Sequence, residues 1–414
     1  MRIGTNGRRA ASDCSHMNTA RLQQLRSLMP REGLDALVCR LPENVVLLTG
    51  YWPVVGRSAA VLTLEHGPIL LAPEMEAYAI QGAWAEDVHT FPVWRLVDPD
   101  PQDSLNELLA AVAARYGLKG RRVGYDGAFE DIAPTQRVAE PWAWASASIQ
   151  ALAGVLDAAI VDATPLLVEA RAIKFPPDIA RIKVANEVAG FGLDAFFASI
   201  DTGRTEAEVA AAVESAILAR GTGHQGTKHA RGQAVVYSGQ QRLSMSWGYT
   251  ANTGRRLQPE DVVMIELAAV ADGYWCDLTR MASVAPVDHR VAEVHDAVLA
   301  AQHEAVRTIR AGVKAAEVDA AARAVLRQRH LAHGFIHHTG HGVGFRYHEP
   351  IPWLHPSSTQ TLTAGMVTSV EPAVYLDEVG GVRVEDNVLV TDAGAEILSA
   401  RPPRLWGHSV SGAM

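Results

Sequence analysis

Apolar positions along the chain switch between two periods. Over residues 20–33, Leu22, Leu25, Leu28 and Met29 fall at helical spacing. Two unbroken apolar runs follow, D-A-L-V-C and E-N-V-V-L-L-T-G-Y, and both read as short buried strands. A-A-V-L-T-L and G-P-I-L-L-A-P predict a hairpin turning at residues 65–67. Residues 105–116 return to the helical period, and R-V-G-Y-D reads as the strand after them. Strands alternating with helices predict an α/β layer domain ending near residues 162–165.

The second half opens on R-A-I-K-F-P-P-D, whose prolines punctuate a helix start. Ile179, Ile182, Ala189, Leu193 and Phe196 then mark one face of a long helix, and residues 205–220 predict a second. This pair recurs. G-R-T-E-A-E-V-A-A-A-V from Gly203 is echoed by G-V-K-A-A-E-V-D-A-A-A from Gly312, an offset of 312 − 203 = 109 residues. Each copy follows a longer helix and precedes strands, as two similar halves facing a shared site would. Between the copies, Asp272-Gly273 separates two apolar runs and is a strong hairpin signal. Pairing across it sets residue 266 opposite residue 279. Residue 277 is then the diagonal neighbour of 266 on the same face.

At 414 residues the chain is long enough for two or three domains. Its 48% hydrophobic and 20% charged content is that of a soluble globular protein. The net charge of −9 counts against nucleic acid as the main partner. Cys14, Cys39 and Cys276 have no paired spacing, as expected of a reduced, cytoplasmic setting without disulfides. No apolar run reaches the length of a membrane helix. Residues 1–16 are polar and basic with no apolar h-region, so they are expected to be a disordered arm, or to precede a start at Met17, rather than a signal peptide.

The chemistry concentrates at H-H-T-G-H-G-V-G-F-R-Y-H-E-P, residues 337–350, which holds four histidines among three glycines. With only Val343 and Phe345 clearly apolar, it reads as a poor core segment. Imidazole is a metal ligand and a proton carrier near pH 7. Acids keep it company from elsewhere. Glu266, Asp277, Glu371 and Glu385 each sit in a strand-like apolar run. Carboxylates there are costly to bury unless something positive meets them. Together they carry about −4, which two divalent cations would cancel, and an oxygen-rich set with one imidazole suits a hard or borderline ion such as manganese.

The order of these pieces resembles the pita-bread metallopeptidase family of aminopeptidase P, prolidase, methionine aminopeptidase and the related creatinase. Its signature is an acid, a second acid eleven residues on, histidine in G-H-G-x-G, glutamate in V-E-P and glutamate in R-x-E-D. Here those positions read Glu266, Asp277, His341, Glu371 and Glu385. The resemblance implies that these five hold two divalent ions, manganese first, with zinc or cobalt as alternatives. His337, His348 and Arg383 match its further active-site residues. It also implies a fold: a creatinase-like N-terminal α/β domain over residues 17–163, then a pseudo-two-fold pita-bread catalytic domain over 164–414, in the α/β (α+β) class. N-V-V-L-L-T-G-Y looks like the segment that opens the N-terminal domain of prolidases. The implied activity is release of an N-terminal residue from proline by a metal-bridged hydroxide, acting on a small peptide with proline second. His337 and His348 would donate to the oxyanion or the leaving amine. A homodimer is implied as well.

The chain departs from that pattern in three places. Glu266 stands where aspartate is usual, and its extra methylene moves the carboxylate by about a bond length, enough to change the metal or its occupancy. S-M-S-W-G-Y-T offers Trp247, Gly248 and Tyr249 where the peptidases usually carry a proton-shuttling histidine. Ala373 follows the V-E-P where glycine is common. These keep two other expectations open: a non-peptidic C–N hydrolase of creatinase or ectoine-hydrolase type, and an inactive pita-bread binding protein.

Overall fold

The computed structural model describes residues 18–53, 57–92, 100–127, 146–247 and 251–407. Residues 1–16, with Cys14, and Gly248 and Tyr249 lie outside these. The chain divides into two compact units, one running up to Ala170 and one from Arg171 onward.

The first unit is built on a six-stranded mixed sheet. Its strands are β1 (Ala36–Cys39), β2 (Ala59–Thr63), β3 (Ile69–Pro73), β4 (Asp87–Phe91), β5 (Arg122–Tyr125) and β6 (Ala159–Asp162), in the order β4-β3-β2-β1-β5-β6. β2 and β3 pair antiparallel, as the hairpin pattern predicts. Val38, Val61, Ile69, Leu105, Leu109, Val112 and Leu152 pack into one core.

One expectation fails here. E-N-V-V-L-L-T is not a strand but the helix Pro42–Thr49. Proline pre-sets the backbone at its first position. The carboxylate of Asp126 accepts from the N–H groups of Arg40 and Leu41 and from Asn44 Nδ2, which anchors the helix start. Gly50 ends it at φ 66. Val45, Val46, Leu47 and Leu48 are all buried, so the helix shows no polar face and its run looks like a buried strand.

The second unit carries the repeat. Helices Pro176–Ser199 and Glu206–Gly221 pack on the antiparallel sheet of β7 (Ala230–Ser238), β8 (Val262–Ala271) and β9 (Tyr274–Ser283). Helices His289–Thr308 and Ala315–Gln328 share a core with a second set of strands. These are β10 (Gly340–Gly342), β11 (Glu349–Leu354), β12 (Val367–Val370), the hairpin β13 (Ala373–Leu376) and β14 (Gly380–Arg383), β15 (Asp386–Val390) and β16 (Ala395–Ile397).

The two halves match in detail. Gly203 and Gly312 adopt φ 86 and 87. Gly203 N donates to Leu257 O and Gly312 N to Leu362 O, both at 2.9 Å. Thr205 bridges Arg256, and Lys314, 109 residues later, bridges Thr361. The halves are sewn together where β9 meets β15. Asn387 Oδ1 accepts from Asp277 N at 3.1 Å, and its Nδ2 donates to Asp277 O at 2.7 Å.

Candidate metal centre

The β8–β9 hairpin turns through Asp272 and Gly273 at φ 47 and 84, the positive values a two-residue turn of this kind requires. Asp272 tolerates this because its carboxylate is held by Lys228 N, His229 N and Arg181. The register sets Glu266 opposite Thr279 and Ala268 opposite Asp277. Both acids are buried.

His341 arrives on β10 between two glycines that nothing larger could replace. A Cβ on Gly340 would lie 2.0 Å from Ser369 O, and one on Gly342 2.2 Å from Ile351 O. This close approach of β11 and β12 buries Gly340 through Phe345, so the stretch is core despite its composition. His341 Nδ1 lies 2.9 Å from Gly342 O, which makes it the protonated nitrogen and turns Nε2 towards the acids. Nε2 lies 3.4 Å from both Asp277 Oδ2 and Glu371 Oε1.

Three groups have ligand atoms all within 4.8 Å of one another: Asp277, His341 and His348; His341, Glu371 and Glu385; and Glu266, Asp277 and Glu385. The last two share Glu385 and together hold the five residues that the sequence motifs single out. Their electrostatics call for cations. No well-directed donor reaches either oxygen of Asp277 or Oε1 of Glu385. Burial, then the charge of Glu266, pushes Asp277 well above the usual carboxyl range. Burial, then Asp277 and Glu371, does the same to Glu385. Glu371 is pushed up to about 7 by burial, against the pull of His341. Four acids and an imidazole facing one another with lone pairs to spare fit divalent metal ions.

Glu266 differs from the other acids. Burial alone would raise it, but Arg383 with Tyr347 and Thr279 outweighs burial and holds it low. Arg383 Nη2 donates to Oε2, as does Thr279 Oγ1 at 2.9 Å, while Tyr347 OH donates to Oε1 at 2.7 Å. Thr279 Oγ1 also lies 2.8 Å from Glu385 Oε2. Its single proton serves only one of the two carboxylates at a time.

His337 stands one layer behind, in none of the three groups. Arg383 Nη1 donates to Tyr375 OH at 3.1 Å, Tyr375 OH lies 3.0 Å from His337 Nε2, and His337 Nδ1 lies 2.7 Å from His338 O. Burial and then Arg383 press its pKa down to about 4, so the ring is neutral. His348 Nε2 lies 3.2 Å from Asp277 Oδ2, and its ring stacks on Tyr347. Glu349 does not orient that ring, although it is the next residue. It is bound to Lys174 Nζ at 2.5 Å and accepts from the N–H groups of Phe345 and Arg346.

The sequence pattern did not single out Thr279, His338, Tyr347 or Tyr375. Thr279 was foreseeable as the partner of Glu266 across the hairpin. His338 lies 3.7 Å from Glu371 Oε1 and packs edge-on to His341 and Trp353. Trp247 is 61% exposed.

Two similar α/β halves closing on a buried cluster of acids and histidines define a metal-dependent hydrolase of the pita-bread fold. The chain belongs to metallopeptidase family M24, whose model matches residues 180–392, and the creatinase/prolidase N-terminal domain matches residues 21–173. The Xaa-Pro dipeptidase of Pyrococcus horikoshii is 27% identical over 379 residues, covering 92% of this chain and 96% of that protein. The Xaa-Pro dipeptidase of Pyrococcus furiosus is 34% identical over 229 residues, 55% of this chain and 63% of that protein. The solved Xaa-Pro dipeptidase of Bacillus anthracis superposes with a TM-score of 0.75 at 22% identity, covering 94% of this chain and 99% of its own. No helix among the described residues is long and apolar enough to cross a membrane.

Proposed function

We propose that this hydrolase is an exopeptidase that cleaves the bond between an N-terminal residue and proline in a dipeptide or short peptide. The single observation that carries the metal-dependent part is the pair of overlapping ligand groups, His341-Glu371-Glu385 and Glu266-Asp277-Glu385, with oxygens on Asp277 and Glu385 that no well-directed hydrogen bond satisfies. They would hold two divalent ions, manganese first. Such ions polarise a carbonyl and make water a nucleophile at neutral pH. Preference for proline rests on the relatives named Xaa-Pro dipeptidase.

The chain's own residues supply the rest. His348, at the edge of the cluster, exchanges protons with the leaving amine. At the inner wall the Tyr375 hydroxyl accepts from Arg383 and donates to the bare Nε2 of neutral His337, which holds Arg383 in place against Glu266. Glu266, in place of aspartate, supports the second reading, a creatinase-type C–N hydrolase. Metal content measured together with a screen of Xaa-Pro dipeptides tests both. About two metals per chain and turnover of Xaa-Pro substrates are expected. A metal-free chain that turns over a non-peptidic amide overturns the first reading in favour of the second.

A further inference from the structure

Tyr347 touches two parts of the centre at once. Its hydroxyl donates to Glu266 Oε1 at 2.7 Å. Its ring stacks on His348 at 4.1 Å between centroids and 19° between planes, and leans on Trp275 at 6.3 Å. Glu266 has one more rotatable bond than an aspartate, so its carboxylate needs more fixing. Arg383 and Thr279 pin only Oε2. With that oxygen alone held, the carboxylate could still swing Oε1 away from Asp277 and Glu385. The tyrosine hydroxyl supplies the second point and fixes the plane.

We propose that Tyr347 is a positioning residue for Glu266. By fixing Oε1 it sets the affinity of the metal position outlined by Glu266, Asp277 and Glu385, and leaves the position outlined by His341, Glu371 and Glu385 unaffected. This rests on the two-metal reading above. Hydrogen bonds to ligating carboxylates are typically worth about 10–100-fold in metal affinity. Through its hydroxyl Tyr347 acts on Glu266 and also on Asp277, both in the same ligand group, so the effect falls first on the ion that group holds.

The test is equilibrium dialysis of the full chain against Mn²⁺, with bound metal counted, for wild type and Tyr347→Phe. Phenylalanine keeps the ring stack on His348 and removes only the donor. Wild type should bind two ions. Tyr347→Phe should bind one unchanged and the other about 10–100-fold more weakly, with the circular dichroism of the metal-free chain unchanged. In a Glu266→Asp background, whose shorter side chain cannot reach from Arg383 to Tyr347, adding Tyr347→Phe should change binding by less than about twofold. Equal weakening at both positions, no weakening at either, or the full penalty persisting beside Glu266→Asp overturns the role of Tyr347 alone. Fewer than two ions on wild type overturns the two-metal reading, and this proposal falls with it.

Discussion

His348 faces Asp277 and not the glutamate beside it: its Nε2 lies 3.2 Å from Asp277 Oδ2, while Glu349 turns away to Lys174. A histidine this close to a buried acid of the centre is placed to carry protons. His348→Ala should keep both metals and the fold, and lose about 10²–10⁴ in turnover. The loss should fall on kcat, because a hydrogen bond that strengthens as charge develops acts mainly in the transition state. Steady-state kinetics with metal counting on the same sample checks this. Loss of an ion would instead make His348 a ligand, and near-normal kcat would make it structural.

Asp277→Asn and Glu385→Gln should each lose metal and nearly all activity. They should also make the metal-free chain more stable than metal-free wild type at pH 8. The reason is the crowding of buried acids that raises both carboxyls. An isosteric amide removes one charge from that crowd without opening a cavity. Paired melting curves after exhaustive chelation decide it: a lower melting temperature for both variants would mean that the acids do not repel one another in the folded chain.

Lys174 and Glu349 are both fully buried and fix the loop that carries Tyr347 and His348. Lys174→Met should therefore cost about 3–5 kcal/mol, because it leaves Glu349 buried without its counter-charge. Urea unfolding of the metal-free chain measures this. A cost under about 1 kcal/mol would mean that Glu349 simply takes up a proton when its partner goes.

Much of the site's placement was legible because it follows from period and register. A two-residue turn at Asp272-Gly273 leaves only one way to pair β8 with β9, so Glu266, Thr279 and Asp277 fell on one face. The echo of Gly203 at Gly312 was legible because two copies of one helix pair meet the same backbone demand. The helix Pro42–Thr49 was not, because an all-buried helix has no polar face to show its period. Nor was the partner of Glu349. Its charge is met by Lys174, 349 − 174 = 175 residues away, and no local pattern carries that information. The burial of Gly340 through Phe345 escaped composition for a related reason: glycines create a core by letting backbones approach, not by being apolar.

Metal binding should depend on pH with a definite sign. Glu371 has its pKa raised from an ordinary 4.5 to about 7, so in the metal-free chain near pH 7 it holds a proton about half the time. Asp277 and Glu385 are also raised. Ligation needs the carboxylates, so Mn²⁺ must expel these protons. Affinity should then rise as pH climbs through 7, and the raised carboxyls of Asp277 and Glu385 act in the same direction. The same shift acts on stability. The folded chain binds more protons at Glu371 than the unfolded chain does between pH 4.5 and about 7. That group's contribution is therefore present below 4.5 and lost as pH rises through 7. His337, lowered from 6.5 to about 4, runs the other way: its contribution is lost as pH falls from 6.5 towards 4. Melting curves of the metal-free chain therefore mix opposing slopes, whereas metal titration isolates the acids. Calorimetric titration with Mn²⁺ at pH 6.5 and 8.5, each in two buffers of different ionisation enthalpy, should show proton release at pH 6.5 and tighter binding at the higher pH. Buffer-independent heats with equal affinities at the two pH values would mean that the acids are already ionised before the metal arrives.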